Sequence, residues 1–275
     1  MTPTIPFQFG AECYTWFMNN NGITHQGKLG HMIEVTGRAG FAGIEPIHFW
    51  MGDLSDPIKL AEKLKKHHIE LAAIALALSW NDRKETEQER LEADQTIELL
   101  KCFPNSLCCL VQVPSGRHEL IERRQRLINH VNEVSKRAND KGVPCTFHPN
   151  SPENSIARTE EDYKFLLENL NSGVCGWTPD VGHIINGDMD PLQKMKEYAP
   201  LINLVHFKDW SENHEFALMG KGKVDFQVIT QWLKDIQYPG WIICEDEGKE
   251  ALADPDGVTL HDGRWIRETL LPSLK

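Results

Sequence analysis

Residues 174–210 constrain the fold more than any other stretch of the chain. Two short apolar runs lie here, and each ends in polar residues. Asp180 and His183 close the first; His206, Lys208 and Asp209 close the second. A single helix-sized segment, 190–199, separates them. Strand, polar end, helix, strand, polar end is the pattern of a βαβ unit. Parallel strands in such units open their C-terminal ends on one face, so side chains far apart in sequence converge there. A carboxylate and an imidazole from consecutive strand ends suit a divalent cation. Taken singly, Asp180 reads as a turn cap and His206 as an ordinary strand-end histidine. Their matching positions on consecutive strands favour the metal.

The rest of the chain repeats the pattern. Apolar runs at 7–13, 40–45, 69–78, 107–113, 143–147 and 240–245 read as strands. Helical spacing marks 29–39, 56–67, 84–103, 118–141, 159–170, 225–237 and 260–274. Asp56-Pro57 opens one of these helices, Gly142 stops another, and Thr159 with Asp162 has capping-box spacing. The strands are continuously apolar, as expected when both faces are buried. Eight strands, each followed by a helix, fill the 275 residues without a linker. The expected architecture is one α/β domain over 1–275, a single (β/α)8 TIM barrel with its active site at the C-terminal strand ends.

Bulk properties narrow the function. The net charge of −11 disfavours a nucleic-acid backbone as partner. No apolar run approaches membrane-spanning length, and the N-terminus lacks the basic and apolar regions of a signal peptide. Seven cysteines, most of them in predicted strands, read as buried thiols of a reducing cytoplasm. The expected partner is therefore a small molecule.

The predicted strand ends carry Glu12, Glu45, His148, Asp180, His206 and Glu245, with His183 and Lys208 close by. Unpaired buried carboxylates are costly, so a cation is the economical explanation. His148, Asp180, His206 and Glu245 form a four-ligand set. Glu12 and Glu45 read equally well as substrate contacts or as turn caps. Trp16, Trp50, Trp80 and Trp177 suit either a wall against a sugar ring or rim packing. Gly220-Lys221-Gly222 and Arg158 invite a phosphate reading, with a structural turn as the simpler account of the glycines.

Several stretches resemble the xylose isomerase-like (sugar-phosphate isomerase/epimerase) TIM barrels. They are Thr178-Pro179-Asp180-Val181-Gly182-His183, Val205-His206-Phe207-Lys208-Asp209, the segment from Gly220 to Phe226, and Gly240-Trp241-Ile242-Ile243-Cys244-Glu245. The segment from Gly40 to Glu45 resembles the family's second strand. The resemblance implies that Asp180, His206 and Glu245 hold a metal, and that His183 and Lys208 contact substrate or the ligand shell. Epimerases of this family usually carry a glutamate at the end of strand 5, where this chain has His148. The surrounding His148-Pro149-Asn150 is similar to the inosose dehydratase branch, with Asn150 in place of a second histidine.

These features imply a metal-dependent isomerase or epimerase of a keto sugar or related polyol. It would work through an enediolate, with Glu245 as base and His148, His183 and Lys208 assisting. Glu12, Trp16, Glu45, Asn150, Trp177 and Arg158 are the expected substrate contacts. Manganese is the first choice of ion, with zinc, cobalt, iron or magnesium as alternatives. An inosose dehydratase-like lyase shares the first step. A catalytically idle sugar-binding barrel is a third class, disfavoured by the joint presence of Asp180, His206, Glu245 and Lys208. Self-association through helices or loops is a further expectation.

Overall fold

The computed structural model describes residues 5–275. Its elements begin with β1 (Gln8–Glu12), β2 (Gly43–Glu45), β3 (Glu70–Leu71), β4 (Ala73–Leu78), β5 (Leu107–Gln112) and β6 (Cys145–His148). They continue with β7 (Cys175–Trp177), β8 (Leu204–Phe207), β9 (Asp209–Trp210), β10 (Phe216–Ala217) and β11 (Trp241–Cys244). The described chain divides into two compact units, residues 5–72 with 205–275, and residues 73–204.

The first unit holds a sheet of order β3-β2-β1-β11-β8. β1 is central and parallel to both neighbours, pairing Gly10 with Gly43 and with Ile243. Gly43 is required by a close approach: a Cβ there would lie 2.7 Å from the Trp241 ring. Aromatic packing runs outward from the sheet. Phe9 meets Phe207 at 6.4 Å, Phe207 meets Phe226 at 4.9 Å, and Phe226 meets Trp265 at 5.5 Å between ring centroids. Burying each such ring contributes about 1.5–3 kcal/mol.

The second unit holds β4-β5-β6-β7, all parallel. Cys108, Cys109, Cys145 and Cys175 lie buried in these strands outside any disulfide. Trp177 is fully buried between Tyr163 and Tyr198. The helix Glu87–Leu100 begins at a Thr86–Glu89 capping box, and Glu160–Glu168 at a Thr159–Asp162 box. In both, hydroxyl and acid satisfy amides that the first turn leaves open.

Four features differ from the sequence expectation. The apolar run 69–78 is broken at Ala72 into β3 and β4. The polar turn expected after Asp180 is a short helix, Val181–Asn186, because the Asp180 side chain caps it. The loop after β8 contains the hairpin β9–β10. The last long helix starts at Pro255 rather than near 260, because Asp254 caps it and Pro255 occupies its first turn. A Cβ at its Gly263 would lie 2.1 Å from the Ala39 carbonyl oxygen, so that glycine is a packing requirement.

Candidate metal centre and catalytic site

In the first unit the register of the sheet places Glu12 directly beside Glu45. His206 comes from β8, and Lys208 and Glu245 follow directly after β8 and β11. All five are buried. His206 Nε2 lies 2.9 Å from Glu45 Oε2, while its Nδ1 lies 3.5 Å from Glu12 Oε2 and 3.7 Å from Glu245 Oε2. Lys208 Nζ is 2.9 Å from Glu245 Oε2, contacts Glu247, and stands 5.1 Å from the centre of the Phe216 ring supplied by the β9–β10 hairpin.

This cluster has more acid than its own cations balance. Burial, then the Glu245 and Glu45 carboxylates, pushes Glu12 well above the usual carboxylate range. Burial would lower the His206 imidazole, but Glu45 and Glu245 outweigh it and push it up to about 10. Buried groups that draw protons this strongly are the groups a cation satisfies instead. The donor set fits one: atoms of Glu12, His206 and Glu245 lie within 4.8 Å of one another. Glu45 fixes the far nitrogen of His206, the carboxylate–histidine arrangement that orients imidazole ligands.

The second unit carries the other imidazoles. Asp180 is fully buried and does two jobs. Its Oδ1 accepts the His183 backbone N–H at 2.8 Å, so the turn-cap reading holds. Its Oδ2 lies 3.5 Å from His148 Nε2 and 3.9 Å from His183 Nε2. The His148 and His183 rings meet edge-on at 5.5 Å. His148, Asp180 and His183 thus come together, as the strand-end argument expects.

Other predicted residues are placed as follows. Asn150 is buried, its Nδ2 donates to the Gln112 carbonyl at 2.7 Å, and its Oδ1 has no partner among the described residues. Arg158 donates to the carbonyls of Ser151 and Asn186 and to Asn186 Oδ1. Trp16 is fully buried, and its indole N–H donates to Asp256 at 2.7 Å. Trp50 and Trp80 are 5% and 2% exposed, so these rings, like Trp16 and Trp177, are packed. The amides of Gly220 and Gly222 point to the Asp209 carboxylate at 2.9 and 2.8 Å, so an internal acid occupies the nest that a phosphate would use.

Sequence reasoning passed over Ser151 and Asn186, which hydrogen-bond around His183, and the buried Asp246–Asp262 pair. Ser151 had a weak signal, a hydroxyl between two prolines just past a predicted strand. Asn186 had none.

Parallel α/β units whose strand ends carry buried acids and imidazoles define a TIM-barrel protein with donors suited to a divalent cation. The chain belongs to the xylose isomerase-like TIM barrel family, whose model matches residues 33–269. It is 24% identical to an inosose dehydratase of Geobacillus kaustophilus, over 91% of this chain and 90% of that one. Among solved structures, IOLI protein with a bound zinc atom aligns at TM-score 0.77 and 16% identity, covering 98% of this chain and 99% of that one. A D-psicose 3-epimerase in the presence of D-fructose aligns at TM-score 0.72 and 18% identity, covering 96% and 99%. Among the described residues no helix is long and apolar enough to cross a membrane.

Proposed function

We propose that this chain is a divalent-cation-dependent enzyme that removes a proton next to the carbonyl of a keto sugar or cyclic keto-polyol. The observation that carries this is the buried group of Glu12, Glu45 and Glu245 around His206, whose acid Lys208 only partly offsets. Within this cluster Glu12, His206 and Glu245 are the proposed ligands. When bound, the ion would polarise the substrate carbonyl and stabilise the enediolate.

The chain's own residues divide the remaining work. Glu245 takes the proton, and the Lys208 ammonium beside it steadies the charge there. Glu45 holds the His206 ring in one orientation. The unpartnered Oδ1 of Asn150 is an acceptor for a substrate hydroxyl. His183, which meets His148 edge-on, is a donor for a polyol oxygen.

Of the two outcomes open to an enediolate, return of the proton or loss of a neighbouring hydroxyl, we favour loss. Expulsion of hydroxide needs an acid, and the second unit offers imidazoles, His148 and His183, beside Asp180. The likeness to inosose dehydratases over nine-tenths of the chain points the same way. Buried thiols outside any disulfide suit a reducing cytoplasm, which belongs to the same reading.

The test uses protein loaded with Mn or Zn and incubated in deuterium oxide with inososes and with keto hexoses. Loss of water to give the enol of a 1,2-diketone, and then the diketone, signals elimination. Deuterium next to the carbonyl without loss of water signals an isomerase or epimerase. Neither signal from any keto-polyol, with metal bound, would sink the catalytic reading. Glu245→Gln should abolish whichever signal appears.

A further inference from the structure

We infer that Arg158, Asn186 and Ser151 form a hydrogen-bond relay that fixes the tautomer of His183, keeping its proton on Nε2. In that state His183 presents a donor and is not a metal ligand. The role of that donor toward a polyol oxygen rests on the proposed function; the tautomer itself does not.

The relay follows from donor and acceptor counts. A guanidinium only donates. Arg158 Nη1 donates to the Ser151 carbonyl at 2.9 Å, and Nη2 to the Asn186 carbonyl at 3.1 Å and to Asn186 Oδ1 at 3.3 Å. Asn186 must therefore turn its amide oxygen to Arg158 and its Nδ2 toward Ser151. The reverse orientation would set donor against donor at Arg158 and oxygen against oxygen at the Ser151 carbonyl, 3.3 Å away. With the amide so fixed, Nδ2 donates to Ser151 Oγ at 2.8 Å.

Ser151 is fully buried, and its hydroxyl hydrogen needs an acceptor. Among the described residues the acceptor within reach is His183 Nδ1, 2.8 Å from Oγ. Nδ1 is thus the nitrogen without a proton, and the neutral ring carries its hydrogen on Nε2. The opposite tautomer would leave a buried hydroxyl hydrogen unsatisfied. Nε2 lies on the side of the ring toward Asp180 Oδ2, at 3.9 Å. For that nitrogen to ligate an ion it would first have to lose its proton while Nδ1 keeps accepting from Ser151, which asks an imidazole to act as a base at both nitrogens. Arg158, Asn186 and Ser151 are positioning residues acting through His183.

The experiment is two-dimensional 1H–15N spectroscopy of the full chain labelled at histidine, at pH 8, with His183→Gln assigning the resonances. Wild type should show His183 unprotonated at Nδ1 and protonated at Nε2. Ser151→Thr, which keeps the hydroxyl, should retain the pattern, and Ser151→Ala should lose it. Asn186→Asp reverses the polarity: a carboxylate accepts from Ser151, so Oγ must accept from Nδ1 and the tautomer should invert. A residue with a merely structural role would not produce that inversion. Wild-type His183 protonated at Nδ1 or at both nitrogens, or an unchanged tautomer in Asn186→Asp, would overturn the relay. None of these spectra needs a substrate, so the relay and the proposed reaction fail separately. Where turnover is measurable, Ser151→Ala should lower kcat about 100-fold, with Ser151→Thr recovering it.

Discussion

Glu45 and His206 join across the first unit's sheet, Oε2 to Nε2 at 2.9 Å, and the contact settles which face of the imidazole is available to an ion. Glu45 is fully buried, and its other oxygen, Oε1, has no hydrogen-bond partner among the described residues. A carboxylate on Nε2 makes the ring a stronger donor through Nδ1, which faces Glu12 and Glu245.

Glu45→Gln keeps the shape and removes the charge. Affinity for Mn or Zn should fall about 10–100-fold. Titration calorimetry of the metal-free protein measures this directly. Unchanged affinity would mean that His206 does not depend on Glu45.

Binding of the ion should also release protons, because Glu12 and His206 both hold theirs tightly without it. Calorimetry at pH 7 in buffers of different ionisation enthalpy would count them. At least one proton released per ion is expected, and none would show that the cluster is already deprotonated.

Asp162 anchors the start of the helix Glu160–Glu168 in the second unit. It accepts from Arg117 at 2.6 Å, from Arg124, and from the backbone N–H groups of Arg158 and Thr159. Burial works against the carboxylate, but these donors outweigh it and hold it below its usual value of 3.8. The folded state therefore prefers the charged form. That stability is complete above the unfolded value and is lost as pH falls through the folded one. Asp162→Asn should cost about 3–5 kcal/mol in urea unfolding at pH 7, since it leaves two arginines without their shared acid. The difference from wild type should shrink as pH falls below about 4.

The fold was legible because the longer strands are apolar runs closed by polar residues, and helices such as Pro57–Lys66, Glu87–Leu100 and Glu160–Glu168 carry their own N-terminal caps. The buried acids and imidazoles were legible for the same reason: Glu12, Glu45, His148, Asp180, His206 and Glu245 stand where such runs end. Two kinds of information were not. The helix Val181–Asn186 exists because Asp180 caps it, and a residue already assigned to chemistry hid its structural use. The His183 surroundings depend on Ser151 and Asn186, 35 residues apart, whose polar side chains look like any others until the chain brings them together.

Asp246 and Asp262 give a prediction of the opposite sign. Both carboxyls are buried, and Asp262 adds to the rise of Asp246. Burial is the main cause in both; it raises Asp246 well above its ordinary value and pushes Asp262 up to about 7. A carboxyl raised on folding stabilises the protein while protonated, and that contribution is lost as pH rises from the unfolded value of about 4 through about 7. Asp262→Asn removes the penalty. Its Tm should exceed that of wild type at pH 8 and match it near pH 4. A higher Tm at pH 4 alone would reverse the assigned sign.

Asp209 ties the loop after β8 into a single conformation. Its carboxylate accepts from its neighbour Trp210 and, across the loop, from Gly220, Gly222 and Val224. Gly222 must be glycine, since a Cβ there would lie 2.2 Å from Asp209 Oδ1. The same loop carries β10, whose Phe216 covers Lys208. Asp209→Ala leaves the amides without their acceptor, and each hydrogen bond to a charged group is worth about 1.5–3 kcal/mol. Part of that loss is recovered where the amides turn to water, because two of the three donors beyond Trp210 are glycines with exposed backbone. The variant should fold, with amide exchange at Gly220, Gly222 and Val224 accelerated by a factor of ten or more on the order of 1.4 kcal/mol per decade. Metal affinity should change little, whereas turnover should fall as Phe216 no longer holds Lys208 against Glu245. Unaltered exchange at those three amides would show that the loop is held by something other than Asp209.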